Sequence, residues 1–243
     1  MSEMITMAQG SGGVETERLI ARVFRDELGN TLLNRAEDSA VFSLSGRVAY
    51  STDSFVVTPL VFQGGDIGKL AVCGTVNDLC MMGAQPKYLS VGFILEEGLP
   101  IETLTQIVKS FGDTARAAGV VIAAADTKVV EGTGGMYINT SGIGIIPHGR
   151  ELRADACRVG DKIIVSGNLG DHHACIMSAR LGIDNEIKSD VKPLHEAVEK
   201  LFCAGVFPRA MRDITRGGLG TVLGELASAS GVGCEIVEEM IPM

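Results

Sequence analysis

Tryptophan is absent from the 243 residues, and aromatic residues make up only 5%. The interior must therefore be built mainly from aliphatic side chains and methionine, because few large rings are available to fill it. Basic residues are also scarce: 21 Lys and Arg stand against 30 Asp and Glu, a formal net charge of −9. That balance argues against non-specific binding to nucleic-acid phosphates, which depends on excess Lys and Arg. No apolar run reaches the roughly 18–20 residues of a membrane span, and no basic segment followed by an apolar core marks an export signal. The six cysteines, at 73, 80, 157, 175, 203 and 234, never form CxxC. A zinc ribbon is thereby excluded, and the cysteines read as reduced, mostly buried thiols of a cytosolic protein.

Glycine, by contrast, is plentiful. Its 31 residues cluster as GSGG (10–13), GG (64–65), GTGG (132–135) and RGGLG (216–220). The clusters fall between periodic segments, which marks them as turns and tight loops. Residues 14–28, VETERLIARVFRDEL, place Leu19, Ile20, Val23, Phe24 and Leu28 at helical spacing. Residues 100–119 predict a second amphipathic helix, with Leu104, Ile107, Val108 and Phe111 on one face, Pro100 at its start and Gly119 at its end. Strands are expected at 48–57, broken at Thr52-Asp53, at 87–97, at 120–130, running into a turn at Asp126-Thr127-Lys128, and at 136–146, where β-branched and aromatic residues concentrate. Beyond a polar stretch at 147–160, strands are expected at 162–170 and from 234, with helices at 172–182, 193–205 and 212–231. The fold class is α+β, with a first domain over 1–150 and a second over 151–243.

One stretch poses a chemical question. GGDIGKLAVCGTVNDLCMMGA (64–84) reads as a buried helix, yet Asn77 and Asp78 interrupt its apolar run. A buried carboxylate is costly without a cation, and a mid-helix Asp gains nothing from capping. Asp38, Asp53 and Asp126 likewise sit at or beside apolar segments. Each of these three could cap a helix or close a turn by itself. Together with Asp78 they would repel one another unless a hard cation such as Mg²⁺ joined them. Lys69 and Lys128 are candidate phosphate contacts, and Asp126 and Lys128, two apart on a strand, should point to one side. Gly10–Gly13 and the ITRGGLG stretch (214–220) could present backbone N–H groups to phosphate, although neither matches a standard nucleotide loop. His172-His173 is a further candidate for metal or acid–base work.

In combination, FQGGDIGKLAVCGTVNDLCMMGAQPKYLSVGFILEEGLP, ADTKVV, INTSGIG, VSGNLGDHH and DITRGGLGTVLGE closely resemble the HypE family of hydrogenase maturation factors. That family lies within the aminoimidazole ribonucleotide synthetase-like ATP-binding superfamily, beside selenophosphate synthetase and thiamine-monophosphate kinase. The resemblance implies two α/β domains, the first pairing into a dimeric β-barrel, with ATP between the domains. It also implies an ATP-dependent carbamoyl dehydratase, which turns a carbamoyl group on a C-terminal cysteine into a thiocyanate for the iron of [NiFe]-hydrogenase. Implied partners are the carbamoyltransferase HypF and the iron-carrying HypC–HypD scaffold, in a cytoplasmic homodimer. Carried over, Asp38, Asp53, Asp78 and Asp126 become Mg²⁺ ligands. Asp78, Lys128 and Asp171 become catalytic. Gly10, Ser11, Gly12, Gly13, Lys69, Asn77, Asp213, Thr215, Arg216, Gly217 and Gly218 become nucleotide contacts. Ala125 stands where relatives usually have Gly before the DTK aspartate, a change expected to hinder close backbone approach to ATP. Met-Ile-Pro-Met stands at the end where the resemblance leads one to expect Pro-Arg-Ile-Cys. The expectation is a C-terminally shortened chain, with an incomplete second domain and no carrier cysteine. The alternatives are another ATP-dependent enzyme of the superfamily or a non-enzymatic maturation scaffold.

Overall fold

The computed structural model of the chain describes residues 3–35 and 39–243. A 3₁₀ turn at Met7–Gly10 leads into a helical run of α1 (Val14–Leu19), a π segment (Ile20–Phe24) and α2 (Arg25–Leu28). Its apolar stripe buries Leu19, Val23, Phe24 and Leu28, as the spacing predicts. The strands that follow build one four-stranded sheet in the order β1-β6-β4-β5. They are β1 (Arg47–Phe55), β4 (Gln85–Glu96), β5 (Val121–Val130) and β6 (Met136–Ile146). Contrary to expectation, β1 runs unbroken through Thr52-Asp53 and β5 through Asp126-Thr127-Lys128. The β1–β6 and β6–β4 pairs are antiparallel. The β4–β5 pair is parallel because α4 (Ile101–Ala117) carries the chain back between them. A small hairpin of β2 (Val61–Phe62) and β3 (Gly65–Asp66) precedes α3 (Ile67–Met81).

Side chains alternate across the strands, so the sheet has two unlike faces. One face carries Phe55, Leu89, Val91, Phe93, Leu95, Ile138 and Thr140, buried beneath α3 and α4. Phe93 sits at its centre, with ring centroids 5.1 Å from Phe24 and 5.6 Å from Phe111. Helix α3 is apolar nearly all round because it lies between the sheet, α4 and α6 (His195–Cys203). Its close fit needs glycine: a Cβ at Gly68 would stand 2.4 Å from the Ile107 carbonyl oxygen of α4. The opposite face leaves Val48, Tyr50, Ile94, Val130 and Tyr137 exposed.

The carboxy-terminal part forms α5 (Asp171–Leu181), α6 and α7 (Gly218–Ser230). The strands expected at 162–170 and from 234 do not form ladders among the described residues, and Glu238–Met240 is a 3₁₀ turn instead. Alternating β-branched residues set which way side chains point, but a strand also needs a neighbour's N–H and C=O groups. Without one, Ile163 and Ile164 remain 52% and 75% exposed. Of the six cysteines, all are free; 73, 80 and 175 are buried, 157 is half-buried, and 203 and 234 are exposed. The expectation of mostly buried thiols thus holds for half of them.

Candidate active site

Helix α3 begins at Asp66, whose carboxylate caps it by accepting from the Lys69 backbone N–H (2.9 Å). Three turns further on, Asp78 emerges half-buried. It does not cap anything: its Oδ2 accepts the Ser51 hydroxyl from β1 (2.6 Å). Ser51 and Asp53, two apart, point from β1 to the same side, toward α3. Gly74 and Asp78, four apart, share one face of the helix. The two patterns interlock, so that Asp53 Oδ2 lies 3.8 Å from where a Gly74 Cβ would stand, while Ser51 meets Asp78. The Asp53 carboxylate therefore lies beside the helix face that carries Asp78 one turn further on.

The carboxy-terminal part adds a third carboxylate. Burial pushes the Asp78 carboxyl above the usual range, the Ser51 hydrogen bond works against that, and the charges of Asp213 and Asp53 push it further. Burial likewise raises the Asp213 carboxyl, and the Asp53 charge adds to the rise. The Arg212 guanidinium tempers both, while itself held by Glu225 (2.6 Å). Asp213 lies just ahead of the turn Thr215–Gly218, in which the Gly218 N–H donates to the Thr215 carbonyl (3.1 Å). Gly217 at φ +92° then starts α7, and Arg216 is exposed at the same corner. Asp171 occupies the first turn of α5, behind Gly170 at φ +90°. Neither α5 nor α7 has a side-chain cap at its N-terminus.

The remaining expected site residues lie elsewhere. Asp126 and Lys128 do point to one side and form an ion pair (2.9 Å). Register places Asp126 level with Gly92 and Asn139, on the exposed sheet face, whereas Asp53 is level with Thr140 and Val91 on the helix-covered face. Within one chain the sheet thus separates Asp126 from Asp53 and Asp78. Ala125, paired with Val91, is an ordinary strand residue. Gly10 packs against β5, where a Cβ would meet Val129 Cβ at 2.6 Å. Ser11 Oγ donates to the Ala8 carbonyl (2.9 Å), the Gly12 N–H donates to Thr16 Oγ1 (3.0 Å), and Gly13 precedes α1. Lys69 Nζ donates to the Gly64 carbonyl (2.9 Å). Asn77 turns away from the carboxylates to backbone groups at Lys192 and Leu194. His172 Nδ1 bonds Ser189 Oγ (2.9 Å), and its ring stands edge-on to Phe62. Asp38 lies outside the described residues. Among the described residues no three His, Cys, Asp or Glu side chains converge tightly enough to hold a metal ion by themselves.

Ser51 and Arg212 escaped the sequence reading. Ser51 stands two residues before Asp53 on the strand expected there, which was the available signal. Arg212 had none beyond standing next to Asp213.

Comparison with known proteins gives these positions a family. Residues 36–146 match the family model for the AIR synthase related protein N-terminal domain, and residues 158–243 match that for its C-terminal domain. The carbamoyl dehydratase HypE of Azotobacter vinelandii is 49% identical over 244 residues, spanning 98% of this chain and 72% of that protein. This chain belongs to the HypE family of carbamoyl dehydratases. A crystal structure of the hydrogenase maturation protein HypE in complex with ATP superposes with a TM-score of 0.93 at 46% identity, covering 97% of this chain and 72% of that one. A structure of a HypE–HypF complex matches with a TM-score of 0.78, also at 46% identity, over 95% of this chain and 75% of that one. Among the described residues of this HypE-family chain, no helix is long and apolar enough to cross a membrane.

Proposed function

We propose that the chain works in hydrogenase maturation as an ATP-dependent carbamoyl dehydratase, with ATP bound at the Asp53–Asp78–Asp213 cluster. The observation that carries the placement is the cluster itself. Half-buried Asp78 from α3 and Asp213 from the segment before α7 lie near the exposed Asp53 of β1, whose charge raises the affinity of both for positive charge. The substrate class is a thiocarbamate, a carboxamide on a cysteine sulfur. Its oxygen attacks the γ-phosphorus of ATP and ADP leaves. That oxygen then departs as inorganic phosphate, the amide nitrogen gives up two protons, and a thiocyanate remains. Phosphorylation is required because an amide oxygen is otherwise a poor leaving group.

The donor set fits Mg²⁺, which is bound through one or two carboxylates with phosphate oxygens completing its shell. When bound, magnesium neutralises charge on the phosphates during transfer. Asp78, with Asp53 or Asp213 beside it, would hold it together with the phosphates, and Asp38 is a further contributor by family pattern. Ser51 keeps the Asp78 carboxylate aimed into the cluster. Asp171 and the Thr215–Gly218 turn, Arg216 and Gly217 included, supply the edge of the cleft from a second domain beginning near residue 151. The exposed apolar sheet face suits pairing with a second copy into a barrel. In such a dimer Asp126, Lys128 and the Gly10–Gly13 loop would serve the partner's nucleotide. The HypE–HypF complex among the relatives supports a HypF-type carbamoyltransferase as the donor partner. A HypC–HypD scaffold is the corresponding acceptor, in the cytoplasm.

Calorimetric titration with ATP tests the placement. Binding should require Mg²⁺, and Asp213→Asn should weaken it about 100-fold, or ~2.7 kcal/mol. Magnesium-independent binding, or an Asp213→Asn variant that binds like the parent, would refute it.

A further inference from the structure

We infer that Asn77 is a positioning residue: it docks the carboxy-terminal part onto α3 and thereby sets Asp213 against Asp78. Both ends of its amide are engaged by backbone groups just ahead of α6. Nδ2 donates to the Lys192 carbonyl (3.1 Å), and Oδ1 accepts from the Leu194 N–H (2.8 Å). A side chain held at both ends by the other part of the chain is placed to fix their orientation, not to grip a nucleotide. The next residue is Asp78, and one residue of helix is a rotation of about 100°. One helical step therefore separates the docking contact from the carboxylate that meets Ser51 and feels Asp213.

A second clamp holds α6 farther along. Arg150 pairs with Glu199 through both guanidinium nitrogens (2.9 and 2.5 Å). It also donates to the Gly83 carbonyl just past α3 (3.1 Å), and lies 4.1 Å over the Phe202 ring. Asn77 and Gly83 are six residues apart, the first near the end of α3 and the second just beyond it. Two clamps at that separation hold α6 in both position and direction on the helix that carries Asp78. If docking is loosened, ATP meets a site assembled only part of the time, and its apparent dissociation constant rises as the inverse of the assembled fraction.

This inference rests on the ATP site proposed above, so its test has an arm without ligand. Hydrogen exchange of peptides 190–203 and 212–218 is followed in the parent, Asn77→Ala and Arg150→Met, with and without Mg·ATP, alongside ATP titrations. Without nucleotide, both variants should exchange faster in both peptides. Their ATP dissociation constants should rise about 10-fold, and saturating Mg·ATP should restore slow exchange. Weaker ATP binding with parent-like exchange in Asn77→Ala would overturn the inference, since Asn77 would then touch the nucleotide. Faster exchange confined to 190–203, or faster exchange with parent-like ATP binding, would also overturn it by uncoupling docking from the site. A parent that binds no ATP would sink the functional reading instead, leaving exchange at 212–218 to judge the docking role.

Discussion

Replacing Asp78 by Asn should make the unliganded protein more stable and the enzyme useless. Burial and the charges of Asp213 and Asp53 hold the Asp78 carboxyl above its ordinary value, outweighing the Ser51 hydrogen bond and Arg212. A carboxyl whose folded value is raised stabilises the fold fully below its unfolded value near 3.9. That contribution is lost as pH rises through the folded value, so at pH 7 the ionised group is a net cost. Asn removes the charge but keeps an oxygen to accept the Ser51 hydroxyl. Allowing for partial solvent screening, the gain at pH 7 is on the order of 1 kcal/mol, a rise of about 2–4 °C in melting temperature for a domain of this size. The gain should vanish below about pH 3.9, where the parent's carboxyl is also neutral. Mg·ATP should reverse the order: at 100 times its dissociation constant it stabilises the parent by about 2.7 kcal/mol, but Asp78→Asn hardly at all. Thermal melts at pH 7 and below pH 4, with and without Mg·ATP, measure all of this. A variant less stable than the parent at pH 7 without ligand, or equally stabilised by Mg·ATP, would refute the electrostatic account.

Gly68→Ala should cost about 1–3 kcal/mol by overpacking, because its Cβ would press on the Ile107 carbonyl at 2.4 Å; an unchanged denaturation midpoint would show that α3 and α4 are less closely packed. Glu96 clasps the turn after β5, accepting from the Thr133 and Gly135 N–H groups (2.8 and 2.9 Å) and the Tyr137 hydroxyl (3.0 Å). Those bonds hold its carboxyl below the usual range. Their contribution is present above the ordinary Glu value and is lost as pH falls through the lowered one. Corrected for intrinsic rates, hydrogen exchange at 131–137 should therefore rise at low pH in the parent and be raised already at neutral pH in Glu96→Gln; a flat parent profile would contradict the clasp.

Much of the first 150 residues is legible because its elements declare themselves locally. Leu104, Ile107, Val108 and Phe111 recur at helical spacing, and Pro100 and Gly119 bracket them with the backbone angles each residue type favours. Asp78 announces itself as a carboxylate with no local partner inside an apolar helix. The strands expected at 162–170 and from 234 failed for the converse reason: the pattern was local but the ladder is not.

By itself the sequence determined most helices and sheet strands of the amino-terminal part, though not the β2–β3 hairpin before α3, that Asp78 needs company, and which family pattern the chain carries. Tertiary structure alone decided the company. It set Ser51, Asp53 and Asp213 around Asp78, put Asp126 and Lys128 on the far face of the sheet, and gave Asn77 to the docking contact. The physical reason is that period and propensity act between neighbours in the chain. Which face of a sheet meets which helix depends on strand register and on glycines that let backbones approach, and both are fixed only when distant segments pack.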